Sequence, residues 1–94
     1  MEVKIDKLKN IFIKYFGDSG LYILKRELVR NDIESLKYIP NYKKVILIRS
    51  LCRNVFSDIF SVKKISVIKS ELISIFGLTS KKYYEIFLSI RDNY

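Results

Sequence analysis

The chain contains no histidine, which removes the commonest general base and the commonest metal ligand near neutral pH. It has one cysteine, Cys52, and a lone thiol can form neither an internal disulfide nor a zinc site. Proline occurs once and glycine three times, so little of the chain is free for linkers or for Gly-rich phosphate loops. No P-loop, dinucleotide fingerprint or nucleophile elbow is present. The ten acidic residues are scattered, with no pair set for acid–base work. The expectation is therefore no enzyme: no catalytic residue, no metal, no cofactor and no small-molecule substrate. The longest uncharged apolar stretch, Val45 to Ile48, is far too short to span a bilayer. The first ten residues, MEVKIDKLKN, are charged and lack the apolar core of a secretory leader. These absences point to a cytoplasmic protein in a reducing compartment, with Cys52 serving as a small buried hydrophobe.

What is present is mostly Lys, Ile, Leu and aromatic residues. Ninety-four residues, 49% hydrophobic and 30% charged, suit one globular domain over 1–94. Eighteen Lys and Arg against ten Asp and Glu give a net charge of +8 and a pI near 9.6. That balance suits a nucleic acid, an anionic membrane surface or an acidic protein. The halves 1–47 and 48–94 each carry a net charge of about +4, and no Lys/Arg run exceeds two. A basic patch must therefore be assembled by folding.

The hydrophobic period is close to 3.6 nearly throughout and predicts an all-α, compact bundle of four to five helices. A first helix is expected over 3–16, with Ile5, Leu8, Phe12 and Tyr15/Phe16 inward and Gly17 ending it. Asp18 or Ser19 is expected to cap a second helix over 20–31, with Leu21, Leu24 and Leu28 inward. The segment 31–41 is the least regular. Asp32 or Ser35 could open a helical turn there, and Pro40-Asn41 marks a hinge. A third helix is expected over 42–60, with Val45, Ile48, Cys52, Val55/Phe56 and Ile59 on its stripe. Ser61 caps a fourth over 62–76, and Thr79 or Ser80 a fifth over 80–91 with Tyr83, Phe87 and Ile90 inward. Tyr22, Tyr38, Tyr84 and Tyr94 find no place inside.

The stretch 69–90, KSELISIFGLTSKKYYEIFLSI, has a distinctive grammar. Glu71 and Leu72 stand on the first of its two expected helices. Gly77 allows a turn at positive φ, Leu78 plugs the junction, and Thr79 or Ser80 caps the next helix. The stretch resembles a helix-turn-helix of the broad transcription-regulator type, within a unit spanning 62–91. Ile73 stands where that family prefers a small alanine, Tyr83 where it prefers a β-branched residue, and no β-wing follows. The resemblance implies a double-stranded DNA-binding protein, with the fifth helix in the major groove. It implies DNA contacts from Thr79, Ser80, Lys81, Lys82, Tyr84 and Glu85, and phosphate clamping by Lys63, Lys64 and Lys69. Such a reader is expected to act as a homodimer, through the helix at 42–60 or the first helix. The alternative is a helical protein–protein interaction module that binds an acidic partner. Attachment to a membrane surface through the first helix ranks below both.

Overall fold

An apolar side chain every third or fourth residue can be buried only if the backbone coils as a helix, and it does so along nearly the whole chain. The computed structural model describes the backbone from Glu2 to Asn93 and the side chains from Glu2 to Arg91. It is compact, with a Cα radius of gyration of 12.6 Å. Among the described residues there is no strand, and no helix is long and apolar enough to cross a membrane.

Helix α1 (Ile5–Phe16) buries Leu8, Ile11 and Phe12. Val3 is buried just ahead of it, and the Lys4 N–H donates to the Ile75 carbonyl at 2.8 Å. Gly17, at φ +62°, ends α1 as expected. A 3₁₀ turn, Gly17–Ser19, then runs directly into α2 (Gly20–Arg30). Neither Asp18 nor Ser19 caps α2 with its side chain, because the turn's own Gly17 carbonyl receives the Gly20 N–H. A Cβ on Gly20 would lie 2.6 Å from the Phe12 carbonyl carbon and 2.9 Å from the Ile13 nitrogen. Helices α1 and α2 thus meet backbone to backbone. That contact sets the rotation of α2, so Gly20, Leu24 and Glu27 face inward. Leu21, expected inside, is turned out and 46% exposed.

The end of α2 is a Schellman motif. Asp32 occupies its left-handed position (φ +58°), Asp32 N–H donates to Val29 O, and Ile33 N–H donates to Leu28 O. No helical turn forms at 32–39. The segment is pinned by Ile33, Leu36 and Ile39, all buried, so the expected hinge is a fastened strap. Pro40 then precedes α3 (Asn41–Asn54), whose Val45, Leu47, Ile48 and Leu51 are fully buried. These residues are consumed inside the chain and are not free to form the dimer seam expected of this helix.

Helix α3 stops at Asn54 rather than continuing to residue 60. A 3₁₀ turn, Phe56–Asp58, replaces its last turn. The break lets Phe56 drop among Phe12, Phe16 and Phe60, with ring centroids 5.7, 5.9 and 6.2 Å away. Ile59, expected inward, is half exposed as a result. Helix α4 (Val62–Ile75) is capped by Ser61, whose Oγ accepts from Lys64 N–H at 3.3 Å. Its end is a second Schellman motif, with Gly77 at φ +74° and Leu78 N–H donating to Ile73 O at 3.0 Å. Helix α5 (Ser80–Asn93) follows and packs chiefly on α3.

Candidate nucleic-acid interface

Tyr83 and Ile90 are buried and Phe87 is partly buried, which fixes the roll of α5 against the core. The opposite face then carries Ser80, Lys81, Lys82, Tyr84 and Glu85, all exposed. Thr79 caps the helix, its Oγ1 accepting from Lys82 N–H at 3.1 Å. Lys81 and Lys82 stand in the first turn, where no acidic residue is present. The peptide dipoles place partial positive charge there, so each lysine costs a few tenths of a kcal/mol rather than stabilising the helix. Neither lysine is paired with a carboxylate among the described residues. Glu85, one turn on, forms no ion pair with either.

Lys69 of α4 joins this face. Its Nζ lies 5.4 Å from the centre of the Tyr84 ring, a cation–π distance. Lys63 and Lys64 lie elsewhere. They start α4, about 7–9 Å back along its axis from Lys69 at the helical rise, and Lys64 is directed toward α1. The Nζ atoms of Lys64 and Lys14 sit 5.6 and 5.3 Å from the Tyr15 ring centre. Of the nine residues expected to contact DNA, the fold therefore gathers Lys69, Thr79, Ser80, Lys81, Lys82, Tyr84 and Glu85. Lys63 and Lys64 form a separate basic spot.

The charge is less even than a division at the chain's midpoint suggests. From Asn41 to Arg91, ten Lys and Arg face three Asp and Glu, a net +7. From Glu2 to Pro40, eight face six. The boundary that reveals this is Pro40, where the strap hands over to α3. Behind α5 the chemistry is quiet. Burial, then the nearby Cys52 and Tyr84, push the Tyr83 phenol up to about 12, against an opposing pull from Arg49. Burial also raises the Cys52 thiol, partly offset by Lys69. A raised pKa leaves little thiolate, so Cys52 is a poor nucleophile. Among the described residues no cluster of His, Cys, Asp or Glu could hold a metal ion. Tyr22, Tyr38 and Tyr84 are exposed, as expected, and Tyr94 lies outside the described residues.

Comparison with protein-family models, with curated proteins and with solved structures finds no match to this chain.

Proposed function

We propose that this protein binds double-stranded DNA as a small transcriptional regulator or a partition-type or architectural factor. In this reading α4, the Gly77 turn and α5 act as a helix-turn-helix, and the exposed face of α5 enters the major groove. The observation that carries the reading is the first turn of α5. It holds two lysines that destabilise their own helix and have no carboxylate partner among the described residues, on a face that also carries the Lys69–Tyr84 contact, within the basic stretch 41–91. A polyanion reverses that cost, because phosphate oxygens neutralise both the lysines and the helix N-terminus. Lys81, Lys82 and Lys69 take the backbone in this account. In the same account Tyr84 contacts a thymine methyl and Glu85 accepts from a cytosine amine. A two-fold site read by a homodimer would supply the specificity that one helix lacks. The role is recognition, with no catalytic step.

The test is the double reversal Lys81→Glu with Lys82→Glu. Both side chains are exposed, so the fold is expected to survive, as far-UV circular dichroism would show. Loss of two charge-assisted phosphate contacts weakens duplex binding roughly 100-fold or more. Unchanged affinity in a folded double variant contradicts the proposal.

A second reading, a helical module for an acidic protein partner, draws on a different observation. Tyr22 and Val29 are 69% and 71% exposed on α2, beside a mostly apolar depression lined by Leu28, Val29 and Ile33 together with Lys25, Asp32 and Glu34. Absence of duplex binding at low salt would favour it.

A further inference from the structure

Lysine outnumbers arginine thirteen to five in this chain, yet four of the five arginines stand along the α2–α3 seam. Arg26 and Arg30 flank the fully buried Glu27, with Arg30 Nη1 3.1 Å and Arg26 Nε 3.9 Å from its Oε1. The Ser50 hydroxyl donates to Glu27 Oε2 at 3.1 Å. Ser50 Oγ in turn accepts from the amides of Asn31 and Asn54, at 3.1 and 3.2 Å. These bonds fix the floor of a depression of about 360 Å³ lined by Asn31, Ile46, Arg49, Ser50, Arg53 and Asn54. That is the low end of the size range of small-ligand clefts, roughly 300–1,000 Å³.

Glu27 is already matched by two arginines, so the charge of the depression is set by Arg49 and Arg53. Neither pairs with a carboxylate among the described residues. The Arg49 guanidinium lies over the Phe87 ring, 4.7 Å from its centre. A cation–π contact at this distance anchors the guanidinium over the ring and uses none of its N–H donors. Arg53 follows one turn later on the same face of α3. Asn31 spends both amide hydrogens, on Ser50 and on the Glu27 carbonyl, whereas Asn54 spends one. The open donors are thus two arginine forks and one amide N–H, held by a bonded floor. A lysine-rich chain keeps arginine where a planar fork is needed, and such a fork matches the oxygens of a phosphoryl group.

We propose that the Arg49–Arg53 depression is a phosphoryl-binding site, separate from the exposed face of α5. The ligand is a phosphodiester of a nucleic-acid backbone or a free phosphate group, and the site does not depend on the duplex reading of α5.

The test is a titration of the intact protein with inorganic phosphate at constant ionic strength, read from the Nε–H signals of Arg49 and Arg53 in ¹H–¹⁵N spectra. Saturable shifts of both signals are expected. Arg53→Gln, at an exposed position, should weaken binding roughly 10-fold. Arg49→Lys, which keeps the charge and loses the fork, should weaken it as well. In a parallel duplex titration, Arg53→Gln lowers the slope of log affinity against log salt by about 0.9 if the occupant is the DNA backbone. An unchanged slope with the phosphate shifts intact identifies a free phosphoryl ligand instead. No saturable shift with either phosphate or duplex overturns the proposal, as does an Arg49→Lys variant that binds as well as the original. Because Lys81 and Lys82 lie outside this site, failure of the α5 reading leaves the phosphate result standing and separately readable.

Discussion

Single residues carry much of what was legible. Gly77 was readable as a positive-φ turn because only glycine takes that conformation at no cost, and Ser61 and Thr79 were readable as caps because their oxygens suit free amides. Asp32 was not, because aspartate takes a positive φ only occasionally, here as the left-handed residue of the Schellman motif that ends α2. Tyr83 yields a pH prediction. Its phenol releases a proton near 10 when unfolded and near 12 when folded. The stabilisation is therefore complete below pH 10 and is lost as pH rises from 10 to 12, by up to about 2–3 kcal/mol. Urea unfolding of the original protein and of Tyr83→Phe, at about pH 9 and about pH 11.5, checks it. The original protein should lose more stability across that interval than the variant. Every group common to the two proteins drops out of the comparison.

At the scale of elements, the existence and order of the helices followed from the 3.6-residue period, but their rotation and some of their ends did not. The α2 stripe was misjudged by one position at Leu21 because its true facing is set by Gly20 against the Phe12 backbone, a contact invisible from periodicity. The α3 break was missed because 49–60 keeps a helical spacing. What overrides that spacing is the pull of Phe56 against Phe12 and Phe16, residues about forty positions away in sequence. Gly20→Ala should accordingly destabilise the protein by about 1–3 kcal/mol, since the added carbon meets backbone that cannot step aside. Thermal unfolding measures this. A neutral or stabilising effect, as expected for an ordinary helical glycine replaced by alanine, would contradict the close crossing of α1 and α2.

At the scale of the whole molecule, charge is divided unevenly along the chain. A net +7 lies between Asn41 and Arg91, while the first forty residues are nearly balanced. The lysines of the α5 face were legible one by one from the sequence. The approach of Lys69 to Tyr84 was not, nor was the turning of Lys64 toward Tyr15, since both depend on how α4 lies against its neighbours. Exposed lysines repel each other unless a polyanion is present, so an asymmetric basic half is expected to bind duplex DNA through released counterions. The direct measurement is fluorescence anisotropy of a labelled random duplex of about 30 base pairs, titrated with the protein at two salt concentrations. The account predicts binding at low salt that weakens steeply as salt rises, with a log–log slope of about −3 if Lys69, Lys81 and Lys82 each neutralise one phosphate. Absence of binding at low salt, despite the +8 charge, would contradict it.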